Sequence, residues 1–388
     1  MATKYVLAVL DDQFTLYYFA CFRTWDLHQL KTWKLEVKQS KYMLKAAIAG
    51  VGFMGWIHYL AYQRSTQAEL HAFCSRDAKK QAGDWTGIRG NFGPPGQQIS
   101  LDGLRVYQTL EQIVEDPEVD LVDICLPPHL HVDAACMALQ AGKHVLCEKP
   151  LGLNTADCDR ILSTAAKVGR QVLVAQVLPY MGEFQFAYQA AQAKSHGKPL
   201  RGYFKRVISP PDWIPDFYDV SKVGGPLIDL HVHDTHFVRL LFGMPRRVMC
   251  SAEMRQGVVK YCYSLMEFAE PGVVVGTSSG VSEQTARPFC HGFDIQFERA
   301  AMQFELSALT DGADVLPLKV LGQDGKAIAP ELPASDEVTA FAAEIDDCVA
   351  SIQSGRIEAR LSGEIARDAI HICQCLQQSA ACGNWIDC

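Results

Sequence analysis

From Leu44 onward the apolar runs are short and unbroken: Leu44–Gly50, Leu70–Cys74, Leu121–Leu126 and His144–Cys147. Strands covered on both faces read this way, because neither side meets water. Stretches of helical period lie between them. One follows Gly55, one begins at Leu110–Glu115 and is ended by Pro117, and one spans His131–Ala141 and is closed by Gly142. Strands alternating with helices at this spacing predict a right-handed parallel sheet. Residues 83–103 break the pattern; rich in Gly, with Pro94 and Pro95, they read as a long loop.

After about residue 200 the period falls from 3.6 to 2. Strands are predicted at Gly202–Ile208, Arg247–Ala252, Tyr261–Phe268, Val273–Ser278, Phe293–Glu298 and Met302–Leu306. Turn signals such as Glu270-Pro271-Gly272 separate them. This patterning predicts an antiparallel sheet with one covered face. Residues 336–353 and 362–380 return to helical period. Residues 1–43 match neither regime. Tyr5–Leu10 is apolar, but Asp11 and Asp12 follow at once, which fits a secretory leader poorly. The segment reads as a loosely ordered N-terminal extension; an extra element covering the domain is the alternative.

A chain of 388 residues is long enough for two domains. Its net charge of −8 argues against nucleic acid or an anionic membrane as partner, since both need a basic field. No apolar run reaches ~18 residues, so no membrane-spanning helix is predicted. The 14 cysteines are scattered without a Cys-x-x-Cys pair, the closest being Cys373 and Cys375, so a zinc ribbon is not expected. Reduced thiols and a cytoplasmic location are expected.

Four groups of residues carry chemistry. Gly50-Val51-Gly52-Phe53-Met54-Gly55 follows the first strand and opens a helix. There Gly50 permits the tight turn, Gly52 admits a pyrophosphate, Gly55 packs helix on strand, and the helix N-terminus favours the negative charge. At the end of the next strand stand Ser75 and Arg76, where an NAD site usually offers a carboxylate. A hydroxyl and a guanidinium suit a 2′-phosphate, which favours NADP over NAD, although Asp77 keeps NAD open. Cys147-Glu148-Lys149-Pro150 ends a strand on the carboxyl edge of the sheet, where ligands bind in open α/β folds. Finally, Gly224 to Asp234 opens a helix expected over 226–242. Asp229 and His233, four apart, are expected on one face, so the carboxylate would orient the imidazole and favour its protonated form. His231 and His236 raise a zinc site, but the set is equally explained by proton chemistry and no metal is expected.

Taken in order, these motifs resemble the Gfo/Idh/MocA oxidoreductases, the family of glucose-fructose oxidoreductase and inositol dehydrogenase. The resemblance also covers Leu126-Pro127-Pro128-His129-Leu130-His131 and Leu361-Ser362-Gly363-Glu364. It implies an α/β protein: a Rossmann dinucleotide-binding domain over 44–165, and a C-terminal α/β domain with an open, mostly antiparallel sheet over 166–388. The final helices would pack back on the first domain, and the sheet face would form a homodimer or homotetramer. Matching positions imply Lys149 as a substrate and cofactor contact, His233 as acid/base and Asp229 as its partner. Glu148 joins the cofactor set, and Leu126, Pro127 and His131 would line the nicotinamide side. The implied activity is hydride transfer between NAD(P) and a secondary hydroxyl or ketone of a sugar or cyclitol. An NAD-dependent glycoside hydrolase on the same scaffold and a non-catalytic nucleotide-binding protein are the alternatives. Three departures stand out. Gln176-Val177-Leu178-Pro179-Tyr180 replaces a common Asn-Arg-Arg run, Val223 replaces a glycine, and the 83–103 loop is long enough to be a lid or a surface insertion. Trp213 or Tyr218 could stack on a sugar ring or serve ordinary packing.

Overall fold

The computed structural model describes residues 6–10, 16–20, 43–211, 214, 216–333 and 336–388. Most of the predicted extension therefore lies outside the described residues, as does Trp213. Within residues 1–42, β1 (Val6–Leu10) and β2 (Leu16–Ala20) pair antiparallel as a hairpin.

The larger unit begins with a parallel sheet. Its elements are β3 (Leu44–Ala49), α1 (Phe53–Tyr62), β4 (Ala68–Cys74), α2 (Ala78–Gln81), β5 (Arg105–Tyr107) and α3 (Leu110–Glu115). Then come β6 (Leu121–Ile124), α4 (His131–Gln140), β7 (His144–Glu148), α5 (Thr155–Val168) and β8 (Val172–Ala175). The order is β5-β4-β3-β6-β7-β8, with every pair parallel. Ala46, Ala47, Ile48 and Ala49 of β3 are fully buried, which explains the unbroken apolar run. The chain reverses strand order between β3 and β6, so the crevice above their carboxyl ends is the natural ligand site. The sheet runs on through β8, past residue 165 where the sequence placed the boundary.

The second part comprises α6 (Gly182–Gln192), β9 (Pro199–Ile208), α7 (Val232–Phe242), β10 (Arg247–Arg255), β11 (Val258–Glu267) and β12 (Val274–Val281). It continues with β13 (Phe289–Phe297), β14 (Ala300–Leu309), β15 (Gly312–Gly322), β16 (Ala327–Ile328), α8 (Glu337–Ser354), α9 (Gly363–Cys382) and β17 (Ile386–Asp387). Its sheet is ordered β16-β15-β14-β13-β9-β12-β11-β10-β17. All pairs are antiparallel except β9 with β12. The sequence reading missed β15, β16 and β17. The first half of β15 is exposed, and Pro317, which has no N–H, falls at a register shift against β14, so the alternation fades towards that edge. Phe184, Phe204, Phe237 and Phe293 interlock beneath one face, with ring centroids 5.0–6.5 Å apart. The other face exposes Tyr203, Tyr263, Leu265 and Leu316. α8 packs on α1: the Phe341 ring lies 5.4 Å from that of His58. The Ser65 hydroxyl, just beyond α1, donates to Asp346 at 2.5 Å. Among the described residues, no helix is long and apolar enough to cross a membrane.

Candidate active site

The glycine turn has the shape its spacing predicts. Gly50 has φ +102°, a region closed to most residues, and a Cβ on Gly55 would lie 2.2 Å from the Gly50 carbonyl oxygen. A Cβ on Gly52 would meet nothing within 4 Å, so the turn is open towards a ligand. α1 starts at Phe53 without a side-chain cap or an acidic residue in its first turn. Its first N–H groups are thus available to an anion, and the cradle fits a pyrophosphate. Met54 is half-buried beside Phe53. The Lys80 ammonium donates to the Val51 carbonyl at 2.6 Å, adding positive charge at the turn. Sequence reading missed Lys80, because only the fold brings α2 over the turn.

Cys74 pairs with Ala49, so Ser75 and Arg76 follow at the same edge. Arg76 is exposed, with no hydrogen bond or ion pair among the described residues. Asp77 is occupied: its carboxylate accepts the Lys79 N–H at 2.9 Å as the cap of α2. The loop 83–103 is anchored across the start of α1. The Trp56 indole donates to the Pro94 carbonyl at 2.8 Å, and Phe92 sits between Phe53 (4.8 Å) and Phe341 (6.0 Å).

At the carboxyl edge, Lys149 precedes a cis peptide bond to Pro150. Its ammonium donates to the Asp229 carbonyl at 2.7 Å and pairs with Asp229 Oδ1 at 3.2 Å. The expected partnership of Asp229 with His233 is therefore corrected. Residues Leu227–His231 form a π turn before α7, which widens the spacing and turns Asp229 towards Lys149. His233 is half-buried, and its Nδ1 is buried without a hydrogen-bond partner. Burial, then the nearby charges of Lys149 and Arg206, hold its pKa well below the usual histidine value. The imidazole is thus neutral, opposite to the protonated form expected from an aspartate neighbour. Arg206, unsuspected from sequence, forms a buried two-pronged pair with Asp234 at 3.0 and 3.1 Å. His231 Nε2 lies 3.2 Å from the Thr277 hydroxyl. His236 is fully buried, with both ring nitrogens unpartnered, and burial pushes its pKa down to about 3.

Two expected cofactor contacts are turned inward. His131 is buried, with Nδ1 2.8 Å from the Pro150 carbonyl and Nε2 2.8 Å from the Leu126 carbonyl. It braces two loops instead of facing the crevice, where Leu126 and Pro127 remain half-buried and exposed. Glu148 is 5% exposed and spends its carboxylate on His58 (3.1 Å) and the Lys149 N–H (3.0 Å). Tyr218 packs beside Phe217 and beneath the Arg255 guanidinium at 4.4 Å, so that face is already covered. Val223 fills a small apolar cluster with Ile208, Phe217, Leu230 and Val281. Leu178, Pro179 and Tyr180 are buried, while the Gln176 amide is buried with neither polar atom partnered.

Residues 44–176 match the family model described as an oxidoreductase family with an NAD-binding Rossmann fold. Residues 184–303 match the GFO/IDH/MocA C-terminal domain. An uncharacterized oxidoreductase of Rhizobium meliloti is 33% identical over 39% of this chain and 45% of its own length. The myo-inositol 2-dehydrogenase of Thermotoga maritima is 25% identical over 52% of this chain and 55% of its own. The chain thus spans about half the length of these curated relatives. Among solved structures, the aldose-aldose oxidoreductase of Caulobacter crescentus complexed with glycerol superposes with a TM-score of 0.73 at 20% identity. That match covers 89% of this chain and 100% of the other, and it shows the shared fold.

Proposed function

As the chain belongs to the Gfo/Idh/MocA oxidoreductase family, we propose that it exchanges hydride between a nicotinamide cofactor and a secondary hydroxyl or ketone of a sugar or cyclitol. The observation that carries this reading is a neutral imidazole and an ammonium on one crevice edge, beside a glycine turn open to pyrophosphate. Gly50, Gly52 and Gly55 would hold the dinucleotide, with the N–H groups of Phe53 and Met54 and the Lys80 ammonium near its phosphates. The bound nicotinamide supplies the hydride acceptor or donor. In the oxidising direction His233 takes the hydroxyl proton as the carbinol hydrogen leaves with its electron pair. Lys149, held by Asp229, donates to the substrate oxygen and stabilises its developing negative charge. With its pKa held below the usual value, His233 is in the unprotonated form that a general base requires.

Arg76 without a partner and Asp77 tied to its own helix support NADP(H) over NAD(H). The name of the Thermotoga maritima relative supports a cyclitol or sugar as substrate. The exposed apolar and aromatic residues of the second sheet support association of copies through that face. Reduced cysteines support a cytoplasmic setting; each cysteine among the described residues is free. The test is absorbance of the reduced nicotinamide across sugars and cyclitols with both cofactors. Turnover of at least one polyol is expected, faster at low concentration with NADP. No turnover with any of them would refute the reading.

A further inference from the structure

A buried charged cluster lies beneath the crevice and takes no part in the chemistry described above. His58 points from α1 into the first sheet. Its Nδ1 is 2.8 Å from Asp123 Oδ2 on β6, and its Nε2 is 3.1 Å from Glu148 Oε1 on β7. His58 and Asp123 are fully buried. The Tyr62 hydroxyl donates to the same Asp123 oxygen at 3.0 Å, and the Cys125 thiol donates to the other at 3.6 Å. Glu344 of α8 faces this cluster, and burial raises its pKa well above the usual carboxyl value. Both His58 nitrogens face carboxylates, and both can donate only in the imidazolium form. Its pKa is raised well above the usual value; burial, the largest single influence, opposes this, and Asp123 and Cys125 together outweigh it.

A buried ion pair is weak grounds for stability, since apolar side chains often pack as well. It is good grounds for orientation. One Glu148 oxygen meets His58, and the other accepts the N–H of Lys149 at 3.0 Å. The peptide that carries Lys149 is thereby tied, through one side chain, to the helix that opens the cofactor cradle. We infer that His58 is a positioning residue: through Glu148 it sets the backbone from which Lys149 reaches the substrate oxygen. The inference rests on the reading that Lys149 meets that oxygen.

Two substitutions separate the two hydrogen bonds. In His58→Asn the amide nitrogen falls near the place of Nδ1, keeping Asp123 and losing Glu148. In His58→Gln it falls near the place of Nε2, keeping Glu148. Asn is expected to lower kcat by about 10-fold or more while KM for the cofactor stays within twofold, since small misplacements cost rate before binding. Gln is expected to recover most of kcat. Hydrogen exchange at the Lys149 amide gives a readout free of activity, expected faster in the Asn variant and close to wild type in the Gln variant. Glu148→Ala, which removes the acceptor altogether, is expected to match the Asn variant in both readouts. Activity that follows melting temperature alone, equal impairment by Asn and Gln, or wild-type kcat in a folded Glu148→Ala enzyme would overturn the inference. If the wild type turned over no polyol, the functional reading would fail, while amide exchange would still decide whether His58 holds Lys149.

Discussion

His58 is a fully buried imidazole beneath the first sheet, and His233 is a half-buried one at the start of α7. Their surroundings are opposite. His58 lies between the carboxylates of Asp123 and Glu148 and is held charged. His233 lies near the cations Lys149 and Arg206, with Nδ1 unpartnered, and is held neutral. Burial pushes both towards the neutral form, so the difference comes from the neighbours alone. On the proposed reading, one residue type would serve as a fixed tie in the nucleotide half and as a proton acceptor in the other. Beneath the first sheet Asp123 and Glu148 are both closed on His58. Near α7, Arg206 is closed on Asp234, and the imidazole is left open.

The contrast can be broken most severely at His233 itself. His233→Gln is expected to cut turnover by about 10²–10⁴-fold, as loss of a general base does, with cofactor affinity retained. Steady-state rates and a fluorescence titration of the cofactor would check it. Retained turnover would mean that the neutral imidazole is only a buried core residue. Next comes Lys149→Ala, expected to lower kcat by about 10²–10³-fold, the usual effect of removing a donor to a developing oxyanion. Because the variant also removes a cation near His233, its rate should start to fall at a higher pH than in wild type when the pH is lowered. A pH–rate profile would show this, and an unshifted limb would separate the two residues.

A smaller effect sharpens the contrast through stability. His236 is pushed down to about 3 by burial, so below pH 6.5 the unfolded chain binds a proton that the folded chain refuses. Folded stability should fall by about 1.4 kcal/mol per pH unit from this group alone. His236→Leu should flatten that slope between pH 6.5 and 4.5 in denaturant titrations; an unchanged slope would refute the buried neutral state. His58 has the opposite sign: its contribution is complete below pH 6.5 and is lost as pH rises through its raised pKa. The smallest effect belongs to the nucleotide half. Arg76→Ala should weaken NADP(H) by about 10-fold, in keeping with loss of one charge-assisted contact, and leave NAD(H) within twofold. Equal weakening of both would remove Arg76 from cofactor choice.

Much of the first half was legible along the chain. Unbroken apolar runs mark strands buried on two faces, and the glycine spacing marks a turn whose backbone leaves no other choice at Gly50 and Gly55. The second sheet was legible where one face is dry. It faded at β15, where exposure and Pro317 remove the alternation that the period depends on. At the site, Lys149 and His233 could be singled out by their place at helix and strand ends. The partner of each could not. An i,i+4 spacing implies a regular helix, and the π turn at Leu227–His231 gives Asp229 to Lys149 instead.

Sequence alone therefore determined what is local and periodic: the alternation of strand and helix, the dinucleotide turn, and the residue types able to move a proton or hold a charge. Tertiary structure decided which charge stands beside which. His58 meets Glu148 across 90 residues of chain, and Lys149 meets Asp229 across 80. Electrostatic energy depends on distance through space and on local burial, and neither is written in the spacing of residues along a chain.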